Sequence, residues 1–281
     1  MRTALFLLLG MILFGCRYFG SDKKPSIPSP KGYNLAEPKK IFLSESLDEI
    51  SGIVFKSDTE IIAENDEEGK IFSINPNKSK QPKSWNCAKA GDFEDIVFTG
   101  NEWYLLRSDG ILYLLTNPFS DSCAHQKFPS PFAESEFEGL YYDEGRKSLM
   151  MLCKSCSTDN EKKSVSVFAF DAVTKTWKDE PAFQIDVKSV AEKITKDKLH
   201  FKPSAAAINP ADKNLYILSS VNKLLVVADV NGMVKEVFDL PIADFKQPEG
   251  LSFAPNGDMY ISNEASDGTP TILLFKYNAK L

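Results

Sequence analysis

After residue 38 the apolar positions fall into short runs separated by turn residues, and five seven-residue segments share one pattern. They read Glu49-Ile-Ser-Gly-Ile-Val-Phe55, Asp92-Phe-Glu-Asp-Ile-Val-Phe98, Glu136-Phe-Glu-Gly-Leu-Tyr-Tyr142, Lys202-Pro-Ser-Ala-Ala-Ala-Ile208 and Gln247-Pro-Glu-Gly-Leu-Ser-Phe253. Each is followed by a second apolar run, at 60–63, 103–106, 149–152, 215–218 and 259–262. A third follows at 70–74, 110–115, 165–170, 223–228 and 271–277. Asp109-Gly110, Asn231-Gly232 and Asn256-Gly257 supply turn chemistry between runs, as hairpins require. The starts recur about every 43–46 residues, with one interval near 65. A period of this length built from short strands is the mark of propeller blades.

The long interval holds residues 186–199, where Val187, Val190, Ala191 and Ile194 fall at helical spacing. A short amphipathic helix inserted between the third and fourth repeats is therefore predicted. The fifth repeat ends at Leu281 after three strands, and Lys39-Lys-Ile-Phe-Leu-Ser44 has strand character. This N-terminal strand is expected to close the ring by pairing with residues 272–277, which leaves no long open edge. The reading is an all-β propeller over 38–281, five blades favoured, with six the alternative if the long interval hides a degenerate blade.

The chain before the repeats has a different character. Arg2 precedes an apolar run, residues 4–15, too short to cross a bilayer but of signal-peptide length. It ends in Leu13-Phe14-Gly15-Cys16, which resembles the lipobox of bacterial lipoproteins and implies a lipidated Cys16. Residues 1–16 are thus expected to be a lipoprotein signal peptide. The proline-rich stretch within residues 17–37 is expected to be a flexible tether. Acyl chains hold a protein to a membrane at roughly 0.8 kcal/mol per buried CH₂, so a cell-envelope protein facing the periplasm or exterior is expected.

Composition adds two constraints. A net charge of −6 with no basic stripe argues against a nucleic-acid partner. Four cysteines remain after Cys16: Cys87, Cys123, Cys153 and Cys156. In an exported chain they are expected to form structural disulfides or stay as buried thiols, with the pairing open. Cys153-Lys-Ser-Cys156 has CxxC spacing, but it closes a strand rather than opening a helix, unlike a redox motif. His125 and His200 are the two histidines, too few and too scattered for a zinc site.

The repeat pattern is similar to that of the SdiA-regulated family of bacterial propellers. The residues that carry the resemblance are Leu47-Asp-Glu-Ile-Ser-Gly-Ile53, Phe137-Glu-Gly-Leu140, Lys202-Pro-Ser-Ala205 and Pro248-Glu-Gly-Leu-Ser252. It implies a periplasmic or membrane-anchored propeller and no particular chemistry.

Alignment of the repeats puts Ser51, Glu94, Glu138, Ser204 and Glu249 at one position, at the start of the innermost strand of each blade. Five-fold pseudo-symmetry would bring them to one mouth of the central channel. Arg107 and Lys154 end the second strands of repeats two and three, and Glu64 and Asn263 hold the corresponding ends in repeats one and five. Two carboxylates about 5 Å apart repel by roughly 3 kcal/mol at an effective dielectric near 20. Protonation, a basic partner or a cation should relieve this. Glu94, Glu138 and Glu249 are the candidate metal ligands, and oxygen donors suit Ca²⁺. The alternative is that they staple neighbouring strands together. No cofactor is otherwise implied, and no catalytic residue can be assigned. Two functions compete: a binding or scaffold module for a protein or small-molecule ligand at the mouth, and a Ca²⁺-dependent hydrolase such as some lactonase and phytase propellers.

Overall fold

A computed structural model describes residues 27–157, 159–160, 163–195, 198–266 and 268–281. The leader, Cys16 and the first part of the tether lie outside these residues. Five antiparallel sheets are arranged as the blades of a propeller. Blade one contains β2 (Ile50–Ser57), β3 (Glu60–Asn65), β4 (Lys70–Ile74) and β5 (Lys83–Asn86), following β1 (Lys39–Phe42) in the chain. Blade two contains β6 (Phe93–Phe98), β7 (Trp103–Arg107), β8 (Leu112–Thr116) and β9 (Ala124–Phe128). Blade three contains β10 (Ser135–Asp143), β11 (Ser148–Cys156) and β12 (Ser164–Asp171), with an outer strand divided between β13 (Thr176–Trp177) and β14 (Phe183–Asp186). The helix α1 (Val187–Lys193) follows. Blade four contains β15 (Ala205–Ile208), β16 (Leu215–Ser219), β17 (Leu224–Ala228) and β18 (Val234–Asp239). Blade five contains β19 (Pro248–Phe253), β20 (Met259–Asn263) and β21 (Thr271–Phe275).

Blade five lacks an outer strand of its own, and β1 fills that place, with Ile41 opposite Ile272 and Phe42 opposite Thr271. The long interval adds no sixth blade. It is taken up by β13, β14 and α1, where the Asp186 side chain caps the helix by accepting from Lys188 N at 3.0 Å. Val187, Val190 and Ala191 bury the helix face predicted from their spacing.

The burial pattern follows from the stacking of blades. β16, β17 and β21 are buried at every position, because both faces of a middle strand meet a neighbouring blade. The outer strands β5 and β9 are largely exposed. Five apolar clusters result, one at each blade interface. Tyr33 and Leu35, in the segment expected to be tether, are buried in the cluster between blades four and five. Tyr33 Oη donates to Gly257 O at 2.6 Å. The packed chain therefore begins before residue 38.

The disulfides are Cys87–Cys123 and Cys153–Cys156. The first ties the end of blade one to the outer strand of blade two. There His125 Nδ1 also lies 2.7 Å from Cys87 O.

Candidate functional site: the channel mouth

The innermost strands β2, β6, β10, β15 and β19 form a ring, each touching the next. Small residues make this approach possible. A Cβ on Gly52 would lie 2.3 Å from Asp95 Oδ1, and one on Gly250 2.3 Å from Ser51 O.

Four of these strands open with a break in register against the second strand. Pairing jumps from Phe93↔Arg107 to Asp95↔Leu106, from Phe137↔Cys153 to Gly139↔Leu152 and from Pro248↔Asn263 to Gly250↔Ser262. A similar jump separates Ile50↔Asn65 from Ile53↔Ala63. Glu94, Glu138 and Glu249 are each the extra residue of a bulge. A bulge re-aims its side chain out of the pleat, which is why three glutamates recur at one end of the channel instead of inside a blade interface.

The two serines at the equivalent position act as staples. Ser51 Oγ donates to Glu94 O at 2.7 Å, and Ser204 Oγ donates to Pro248 O at 2.9 Å. Ser262 Oγ donates to Ser51 O at 2.7 Å. Asp95, the residue after the bulge in blade two, spans a blade boundary: it accepts from Ile96 N at 2.8 Å and from Leu140 N at 2.7 Å. Its complete burial pushes the carboxyl well above the usual range in spite of these bonds.

The mouth divides into two unlike halves. Towards blades three to five the acids meet lysine. Lys154 pairs with Glu138 and lies 3.0 Å from Glu136. Lys154 is itself skipped in the β10–β11 register, between Cys153 and Ser155, so the disulfide brackets the residue that enters the mouth. Glu249 accepts from the Ser220 hydroxyl and has Lys154 and Lys223 nearby. Burial nevertheless raises its pKa. Glu138, Lys154, Ser220, Lys223, Gln247 and Glu249 line a depression of about 410 Å³ here.

Towards blades five, one and two the mouth is acidic. Glu49, Asp66 and Glu264 place one carboxylate oxygen each within 4.8 Å of one another. Burial first, and then neighbouring acids, raises Asp66 to about 7 and Glu264 to about 8. Glu94 is pushed up to about 8 by burial and by Asp92, with Lys154 opposing. Glu64 is fully buried and raised well above the usual range. Its Oε1 accepts from Gly52 N at 2.7 Å, while Glu64 Oε2 and Asp66 Oδ1 are buried with no hydrogen-bond partner.

Two sequence expectations change in detail. Arg107 does not serve the glutamate ring: its guanidinium bonds Asp109 at 2.9 Å and Tyr113 Oη at 3.1 Å. Glu64 and Asn263 are one residue out of step, because Asn65, not Glu64, matches Asn263 in the register. A shift of one residue reverses the face of a strand. Glu64 accordingly points towards blade two, whereas Asn263 faces blade four. The acidic triplet was not singled out from sequence. Glu49 is the first position of a repeat, and Asp66 and Glu264 directly follow the matched Asn65 and Asn263. That equivalence needs the true register to be seen. Cys153, Cys156 and Asp159 also converge, but cysteines joined in a disulfide offer no thiolate for a metal.

The opposite mouth is apolar at its rim. Phe55, Phe98, Tyr142, Ile208 and Phe253, the last residues of the five repeats, surround a cavity of about 580 Å³. Tyr33 packs against Phe253 on this side, with ring centroids 6.4 Å apart.

The family described as SdiA-regulated matches residues 39–267. The chain belongs to the SdiA-regulated family. None of the curated proteins matches the sequence. Among solved structures, the fold is similar to that of Myxococcus xanthus glutaminyl cyclase, at TM-score 0.59 and 13% identity over 85% of this chain and 94% of that one. It is also similar to a luciferin-regenerating enzyme, at TM-score 0.51 and 11% identity over 85% and 95%. A streptogramin B lyase matches at TM-score 0.50 and 11% identity over 86% and 98%. At these identities the SdiA-regulated chain shares a propeller fold with them, which by itself assigns no activity.

Proposed function

We propose that this protein is a lipid-anchored binding module of the cell envelope that takes a cationic ligand at the acidic half of its channel mouth, with Ca²⁺ the simplest candidate. The observation that carries the reading is the Glu49–Asp66–Glu264 triplet with Glu64 and Glu94 beside it, two of whose buried oxygens have no partner. Hard oxygen donors at this spacing suit Ca²⁺, and a cation removes both the repulsion and the orphaned acceptors. The triplet replaces Glu94, Glu138 and Glu249 as the ligand set, because Glu138 is already neutralised by Lys154.

Tyr33 and Gly32 lie on the apolar side of the ring, against the turn at Gly257 and residue Asn278. A tether running from Cys16 into this region would direct the acidic mouth away from the membrane, towards partners in the surrounding compartment. The test has two arms. Ca²⁺ added to metal-stripped protein should raise Tm by mass action, and Glu49→Gln/Asp66→Asn/Glu264→Gln should abolish the shift while the protein stays folded. A Cys16→Ser variant should be released from membranes. A Ca²⁺ response unchanged in the triple variant would overturn the site, and unchanged membrane retention would overturn the anchor. The competing reading, a Ca²⁺-dependent hydrolase, rests on the same triplet, and a hydrolytic activity present only with Ca²⁺ would favour it.

A further inference from the structure

The face of blade five that looks towards blade four carries a buried carboxamide without a partner. Asn263 is 3% exposed, and neither its Nδ2 nor its Oδ1 has a hydrogen-bond partner. Burying such groups without a partner is unfavourable, so a pair of them in one side chain calls for an occupant. Cross-strand register fixes where the side chain points. Phe42, Thr271, Asn263 and Pro248 are successive partners across β1, β21, β20 and β19. They form one transverse row on one face.

Phe42, Thr271 and Asn263 line a single pocket of about 200 Å³, walled on the far side by Ala243, Asp244 and Lys246 from the segment that enters blade five. This volume greatly exceeds the ~30 Å³ share of one water. Lys40 and Asp244 lie on the pocket wall 2.5 Å apart and neutralise one another, and Glu264 accepts from Gln247. The group that lacks a partner is thus neutral, and it offers an NH₂ donor and a C=O acceptor side by side.

A group that answers both at once presents an N–H and a C=O on one edge. We infer that this pocket is a second ligand site, which binds a small neutral primary carboxamide, such as an asparagine or glutamine side chain, with Asn263 as the reading residue. The site adjoins the one proposed for the cation, since Glu264 borders both, but it is read by Asn263 and its failure would leave the cation reading untouched.

The experiment follows the side-chain amide resonances of Asn263 by ¹⁵N–¹H NMR in the oxidised full chain, assigned by their absence in Asn263→Leu. Acetamide and propionamide are titrated, with acetate and methylammonium as controls. The expected result is a saturable shift of the Asn263 resonances with the two amides and none with the controls. Thr271→Val, which alters the neighbouring position of the row, should weaken acetamide binding by about threefold or more. No shift with either amide, or equal shifts with the controls, would overturn the proposal and leave ordered water as the partner of Asn263. Should Asn263→Leu fail to fold, assignment by selective asparagine labelling keeps the wild-type titration decisive.

Discussion

Removing β1 tests the closure of the ring directly. A chain beginning at residue 45 loses the outer strand of blade five and, with the preceding segment, the buried side chains of Leu35, Ile41 and Leu43. At roughly 1.5–3 kcal/mol for each fully buried aliphatic side chain, these three contribute roughly 5–9 kcal/mol. The deletion also strips Tyr33 from the interface between blades four and five and leaves the backbone of β21 as an open edge. A domain is usually stable by about 5–15 kcal/mol. The shortened chain should therefore be largely unfolded or strongly destabilised, whereas a chain starting at residue 27 keeps every described contact. Urea unfolding of both chains, followed by far-UV circular dichroism and by the fluorescence of Trp85, Trp103 and Trp177 with the disulfides intact, measures the difference. A synthetic peptide of residues 36–46 should partly restore the shorter chain by adding back the strand. Coincident midpoints for the two chains would refute the closure argument, since the covered edge and the three side chains would then contribute nothing.

The remaining predictions concern the mouth. Glu94 and Glu264 are raised to about 8 and Asp66 to about 7. These groups therefore hold protons in the folded state that the unfolded chain releases nearer pH 4, and the metal-free protein should lose stability as pH rises from about 4.5 to 8. Thermal melts should show this slope, reduced in Glu94→Gln; a flat profile would contradict the burial argument. Lys154→Met should destabilise by leaving the half of the pair on Glu138 buried and alone, and Glu138→Met in addition should recover part of the loss. A double-mutant cycle with no coupling would show that the pair is screened by water. Gly250→Ala would force a Cβ to within 2.3 Å of Ser51 O and 2.4 Å of Ser262 Oγ. Backbone cannot yield as a flexible side chain does, so the cost in denaturant melts should reach or exceed the roughly 1–3 kcal/mol typical of overpacking, and a neutral result would show that the innermost strands are further apart.

Much of this architecture is legible in the chain because each blade is a local object. Hairpins of adjacent strands need only short-range pattern and turn chemistry, so the repeats from Glu49 to Phe253, the position of α1 and the role of residues 41–43 as the closing strand follow from spacing. The small residues Gly52, Gly139 and Gly250 likewise announce a crowded axis. What spacing does not encode is register at the mouth. The bulges that turn Glu94, Glu138 and Glu249 outward, and the one-residue offset that sends Glu64 to blade two and Asn263 to blade four, arise where a strand must both pair with its neighbour and bend towards the axis. The choice of partners is also tertiary. Lys154 meets Glu138 and Arg107 meets Asp109, because Arg107 matches Cys153 in the register whereas Lys154 is the residue skipped beside it. Glu49, Asp66 and Glu264 converge from two blades at opposite ends of the sequence, and ring closure alone brings them together. Sequence thus determined the blades and their number of repeats, whereas the closed ring decided which charges share a site.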